Sequence, residues 1–366
     1  MITTTSRTEL DFFEHYDKFV KDSISGKRLQ KNGKRLRTGS ATNYKYLRKL
    51  LSEFSIEKKF ELRIRSSIKL SKREFATEKN YWKKFYKNFT DYLYNDLGHY
   101  DNYVGNNIKM LRVFFNHLNL DSGFRAGEFH KNFYVRKEEI PIVALLPEQL
   151  NTLIYDVEVG EQLNASLKAT KDIFVFGCTV ALRVSDLLNL KPLNLEKQGE
   201  FYYLKATSKK TQTFTRIRLP GYCVEIIKKY KNKYKTLLPP ISNVNLNKNI
   251  KKLMEAYGWT NPALKTRERR GIQVQVYKNS RTRESFRFCD LITSHSMRRT
   301  AITTMLCLNM PEHIVRQISG HSANSKEFFK YVKLSQSYMD QETDKVFEKL
   351  ELKRTEKTPQ KVAISA

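Results

Sequence analysis

Apolar residues recur at helical spacing through the first 120 residues. Leu10, Phe13, Tyr16 and Val20 form one stripe. Tyr44, Leu47, Leu51 and Phe54 form a second, behind Ser40 and Thr42 as cap candidates. Tyr81, Phe85, Phe89 and Leu93 make a third, and Ile108, Leu111, Phe114 and Leu118 a fourth. Stripes of this kind predict a small helical bundle over residues 1–130, with the aromatic rings as core. The periodicity lapses over 131–146, which reads as a linker leading into Ile140-Pro141. A second domain is expected over 147–352. It should open with a helix near Pro147 and carry an apolar helix through Ile173–Leu190. Residues 201–204 and 214–219 alternate as strands and predict a β-hairpin turned at Ser208-Lys209-Lys210-Thr211. Helices are expected around 222–236, 246–257, 295–308, 311–319 and 336–350. Residues 353–366 lose the pattern and are expected to form a disordered tail. The expected class is mainly α: an N-terminal helical bundle followed by an α+β domain with a small antiparallel hairpin.

Composition narrows the partner. The 366 residues carry 67 Lys+Arg against 38 Asp+Glu, a formal charge of +29, which calls for a polyanion. From Ser23 to Ser52 there is no acidic residue, while Lys27, Arg28, Lys34, Arg35, Arg37, Lys45 and Arg48 fall inside; residues 263–300 are again basic. Such uncompensated runs suit phosphate contacts. With 40% hydrophobic residues the chain can bury real cores, so a largely disordered protein is excluded. The longest uncharged apolar stretch, Ile173 to Leu182, is far short of a membrane span, and the N-terminus lacks the apolar core of a secretory signal. Cys178, Cys223, Cys289 and Cys307 lie far apart and read as reduced thiols of a cytoplasmic protein.

Several polar groups stand out in the second half: Arg183 in Ala-Leu-Arg-Val-Ser-Asp, Lys210 in the hairpin turn, His295-x-x-Arg298, Gly320-His321, and Tyr331. Singly each is weak; an arginine amid apolar helix residues commonly snorkels to solvent. Jointly they suit attack on a phosphodiester. Charge grows on the phosphoryl oxygens in the transition state, and fixed cations stabilise it. Arg183 and Arg298 offer guanidinium forks, and His295 and His321 add hydrogen bonds. Tyr331 would be the nucleophile and Lys210 the acid for the leaving oxygen. No Walker loop and no convergent carboxylates accompany them, so neither a nucleotide nor a metal cofactor is expected.

This ordered set resembles the tyrosine recombinase (phage integrase) family, most clearly through Thr293-Ser294-His295-Ser296-Met297-Arg298-Arg299-Thr300. The likeness covers almost the whole chain. It implies a SAM-like core-binding bundle and a catalytic domain of the DNA breaking–rejoining fold, which together grip duplex DNA. It also implies cleavage through a 3′-phosphotyrosyl bond, and a homotetramer working on two sites, with the free protein a monomer or weak oligomer. DNA-bending accessory proteins are expected partners; a membrane is not. The second half is similar in style to integrases of mobile elements in the Bacteroidetes. Asp186 stands where the family more often has Glu. The step from His321 to Tyr331 is ten residues, one more than is common, which leaves Tyr338 as the alternative nucleophile.

The resemblance predicts a site-specific recombinase that integrates or excises a phage, genomic island or conjugative element. A Xer-type dimer resolvase is the alternative within the same chemistry, and a type IB topoisomerase would share most of the residues. A non-catalytic DNA-binding regulator is the alternative from another class.

Overall fold

The computed structural model describes residues 9–30, 32–120 and 122–355. The chain divides into two compact units, the first made of residues up to Ile140 together with Lys265–Val276, the second of Pro141–Leu264 and the residues from Tyr277 onward.

Unit 1 begins with strand β1 (Glu9–Asp11) and helix α1 (Phe12–Ser25). The Asp11 side chain accepts the Glu14 N–H at 2.6 Å and caps the helix. Helix α2 (Thr38–Glu57) follows, then β2 (Arg63–Arg65), which pairs antiparallel with β1. Helix α3 (Lys72–Asp91) starts in a Ser71/Glu74 capping box and runs into a π-turn over Tyr92–Asp96, and α4 is Asp101–Leu120. The expected stripes form most of the core, but on α3 Trp82 takes the inner place beside a partly buried Tyr81, and Leu93 lies in the π-turn. Phe12, Tyr16 and Phe19 carry the inner face of α1, Phe13 sits at its edge, and Leu10 belongs to β1. Helix α2 starts at Thr38, with no side-chain cap from Arg37, so Ser40 and Thr42 lie inside it. Rings of Phe12, Tyr16, Phe19, Phe54, Trp82, Phe85, Phe114 and Phe133 interlock at T-shaped and tilted angles. Residues 131–140, expected as linker, belong to this unit because Phe133 and Glu138 are buried in it.

Unit 2 contains α5 (Pro147–Tyr155), α6 (Glu158–Gln162), α7 (Ala165–Val180) and α8 (Val184–Leu187). The single helix expected over 173–190 is thus broken. Asn164 caps α7, and Ala181 ends it in the left-handed region at φ 54. The expected hairpin is two strands of a three-stranded antiparallel sheet: β3 (Leu195–Gln198), β4 (Phe201–Thr207) and β5 (Phe214–Arg218). Helices α9 (Gly221–Tyr230) and α10 (Asn243–Ala256) and the short strand β6 (Pro262–Ala263) follow. The chain next contributes hairpin β7 (Thr266–Arg269) and β8 (Ile272–Gln275) to unit 1. These residues fall inside the span 147–352 that the sequence assigns to the second domain, and ion pairs with unit 1 carboxylates hold them there.

Back in unit 2, β9 (Phe286–Arg287) pairs with β6. Helices α11 (Phe288–Leu291), α12 (Ser294–Cys307), α13 (Glu312–Ser319) and α14 (Lys326–Thr355) complete the described chain. The last is one helix that already contains Tyr331, where sequence periodicity placed a start at 336. The main core packs around α7, and a smaller cluster of Ala181, Ala301, Ile302, Val315, Phe328 and Tyr331 joins α12, α13 and α14. Of the expected tail 353–366, residues 356–366 lie outside the described residues.

Candidate active site

The break after α7 places Arg183. Ala181 turns the chain out of the helix, and Arg183 sits in extended conformation (φ −68°, ψ 144°) as the residue before α8. Its Nη1 donates to Ser208 Oγ at 2.8 Å, just before the β4–β5 turn that carries Lys210. Asp186 does not need to pair with Arg183 to matter. Its Oδ1 accepts the Lys209 N–H at 3.3 Å and so fastens the same turn, while Oδ2 is buried without a hydrogen-bond partner.

His295 and Arg298 lie one turn apart on α12. Arg298 is only 4% exposed. Its Nη1 donates to the Ala181 carbonyl at 2.7 Å, and its Nη2 lies 3.3 Å from His321 Nε2. Burial and the neighbouring Arg183 push its guanidinium down to about 10, with Tyr331 and Asp186 opposing. It therefore stays charged at neutral pH, a cation with no carboxylate bonded to it among the described residues.

Gly320 ends α13 at φ +64, a conformation that favours glycine, and turns the chain so that His321 faces Arg298. Ser319 Oγ lies 2.8 Å from His321 Nδ1 and donates its own hydrogen to the Val315 carbonyl at 2.7 Å. The serine is then free to accept from Nδ1–H, while Arg298 Nη2 stands alongside the ring, 3.3 Å from Nε2 and 3.4 Å from Nδ1. Burial, then Arg298, Arg183 and Arg316, pushes His321 down to about 4. His295 reaches solvent, yet its partial burial and the cations Arg299, Arg298, Arg183 and Lys210 also lower it.

Tyr331 is 6% exposed, with its ring centroid 5.9 Å from that of His321 and 6.1 Å from Phe328. Arg316 lies over Phe328 at 3.9 Å and closes the other side. Tyr338 is occupied elsewhere. Its hydroxyl donates to Glu148 Oε1 at 2.5 Å, and that carboxylate is the first cause raising its phenol above the ordinary range.

The chain aligns with the integrase of transposon Tn1549 bound to transposon right-end DNA, with a TM-score of 0.54 and 13% identity, over 91% of this chain and 99% of that one. It aligns with XerH recombinase in a pre-cleavage complex with its difH substrate, at 0.53 and 14%, over 89% and 83%. Lambda integrase, in a tetramer bound to a Holliday junction, gives 0.54 and 13%, over 88% and 81%. The fold is the tyrosine recombinase fold. No protein-family model matches the chain, and no curated protein matches it by sequence.

Within that fold, His321 lies beside both Arg298 and Tyr331, and Arg183 acts on Arg298 and His321 electrostatically. Lys210 sits on an exposed turn and reaches the group through its effect on His295. The sequence reading missed Ser208, Ser319 and the Ala181 carbonyl. A serine or a backbone oxygen carries no signal until the fold brings it to its partner. None of the described helices is long and apolar enough to cross a membrane.

Proposed function

We propose that this protein is a site-specific tyrosine recombinase that cuts and rejoins duplex DNA through a 3′-phosphotyrosyl intermediate. One observation carries the reading: a buried, charged Arg298 with no carboxylate bonded to it among the described residues, held between the Ala181 carbonyl and neutral His321 beside Tyr331, in the fold of recombinases solved on DNA. A buried cation costs free energy unless an anion joins it, and a scissile phosphate is such an anion.

In this scheme Arg183 and Arg298 bind the non-bridging phosphoryl oxygens, and His295 and His321 add hydrogen bonds as charge builds. Tyr331 Oη attacks phosphorus, the bond to the 5′-oxygen breaks, and Lys210 on its exposed turn gives that oxygen a proton. The phenolic proton is released to solvent. Attack by a 5′-hydroxyl from a partner duplex reverses the step, so bond energy is retained without nucleotide or metal. Tyr338 is the poorer nucleophile because it is bonded to Glu148.

The exposed cations Lys27, Lys34, Arg35, Arg37 and Lys45 of unit 1 suit the phosphate backbone. Arg28 is stacked on Phe19 and Arg48 is paired with Asp17, so these two serve the bundle instead. A tetramer on two sites, with DNA-bending accessory proteins, acting in the cytoplasm, completes the proposal. The long basic stretch between Lys210 and His295 supports an element-encoded integrase like those of Bacteroidetes mobile elements. Incubation with a nicked suicide substrate followed by SDS tests the reading. An adduct joining protein to the 3′-phosphate is expected, and binding with no adduct at any candidate site would leave a DNA-binding regulator.

A further inference from the structure

Residues 265–276 stand between Lys210 and His295 in sequence, yet they fold in unit 1. Two buried carboxylates receive them. Glu138, whose side chain has no exposed surface, accepts Arg267 Nε at 3.0 Å and Nη2 at 2.6 Å, and the Glu268 N–H at 2.7 Å. Asp101, 1% exposed, spreads its two oxygens over consecutive amides, Arg270 N–H and Gly271 N–H, both at 2.7 Å. Arg270 also reaches Asp91 at 2.5 Å, and Arg267 lies 4.6 Å over the Tyr100 ring.

The fit is selective. Arg270 and Gly271 have φ of 57° and 81°, the pattern of a type I′ turn, whose twist suits a two-residue hairpin. Arginine is strained in that region, and the Asp101 carboxylate holds it there by both amides. Removing the hairpin would leave two buried carboxylates without their cation and turn amides, which is far more costly than losing a surface pair. Glu138 also exchanges hydrogen bonds with Asn102, its N–H donating to Asn102 Oδ1 at 3.1 Å, so it pins the last residues of the unit to the start of α4.

We propose that Glu138 and Asp101 form a docking site on the helical bundle for a basic two-residue β-turn, filled by the 265–276 hairpin of the same chain. Residues up to Ile140 are then held to the rest of the chain by this docked hairpin as well as by the peptide link to Pro141.

The test uses the full chain with a protease site inserted between Ile140 and Ile142. After complete cutting, the two fragments should still elute together on gel filtration in 0.15 M salt. Asp101→Asn with Glu138→Gln keeps shape and removes both charges, and it should release more than half of the N-terminal fragment. Separation of the fragments without these substitutions would overturn the proposal, and so would co-elution with them. Should the double variant not fold, hydrogen exchange on the uncut parent protein decides. The amides of Glu268, Arg270 and Gly271 should exchange at least 100-fold slower than in the free peptide 264–277, and equal rates would refute docking.

Discussion

Arg298 donates its Nη1–H to the carbonyl oxygen of Ala181 at 2.7 Å, and that oxygen is available only because Ala181 leaves helix α7 in a left-handed conformation. In a continuing helix the same carbonyl would be committed to an amide four residues on. The break therefore does two things at once: it supplies an anchor for Arg298 and swings Arg183 out beside it. Two guanidinium groups are thus fixed near each other before any phosphate arrives, and the repulsion between them is part of what lowers Arg298.

That arrangement predicts a trade between stability and activity. Arg298→Met removes a desolvated cation facing another cation, so the melting temperature of the DNA-free protein should stay level or rise by a few degrees. Cleavage of bound substrate should fall by at least ~10³-fold, with affinity changed little. A clear drop in melting temperature with cleavage intact would make Arg298 a structural group.

Tyr331→Phe should bind DNA normally and form no SDS-stable adduct. Tyr338→Phe loses only the bond to Glu148, and adduct formation should remain within about tenfold of the parent. The reverse pattern, read by gel mobility on a nicked substrate, would move the nucleophile to 338.

The histidines set a pH dependence. His321 and the buried His130 titrate at about 4 in the folded chain, against an ordinary value of 6.5. Between pH 6.5 and 4 the unfolded chain takes up protons that the folded chain refuses. Stability of the DNA-free protein should therefore be fully present above pH 6.5 and fall as pH drops through that window. His295, lowered as well, adds in the same sense. His321→Asn should remove up to ~1.4 kcal/mol per pH unit of this slope, seen in urea midpoints measured across the window. An unchanged slope would show that His321 is not held neutral.

Lys210 is the one candidate on an exposed turn, and its role can be isolated chemically. A substrate with sulfur at the bridging 5′ position has a leaving group that needs no proton. It should restore cleavage to Lys210→Ala to within about tenfold of the parent, but not to Arg298→Ala. Rescue of Lys209→Ala in place of Lys210→Ala would shift the acid by one residue.

Helix α14 runs on past Tyr338 with Met339, Val346 and Phe347 exposed. An apolar face of this kind suits a groove on another copy of the chain. Deleting residues from Gln341 onward keeps the Tyr338–Glu148 bond, so the shortened protein should fold and bind a single site. Complexes holding two DNA sites should vanish on native electrophoresis. Normal assembly by the shortened protein would remove this helix from the interface.

Local physics alone determined much of this protein. The stripes on α2 and α4 follow from 3.6-residue spacing, because a helix needs only its own neighbours to choose a face. The strands around Lys210 follow from alternation, and the expectation of a polyanionic partner follows from charge. The order of Arg183, Lys210, His295, Arg298, His321 and Tyr331 was equally legible, since it is a property of the string. Tertiary structure decided the rest. Val180 and Leu182 look like one helix with their neighbours, and only packing around Ala181 shows the break that aims Arg183. Arg267 and Arg270 look like one more basic run. Only Glu138 and Asp101, more than a hundred positions away, show that they belong to the helical bundle. Periodicity reports which face of an element is buried, but pairing between distant charges depends on where the chain brings them, and no local pattern records that.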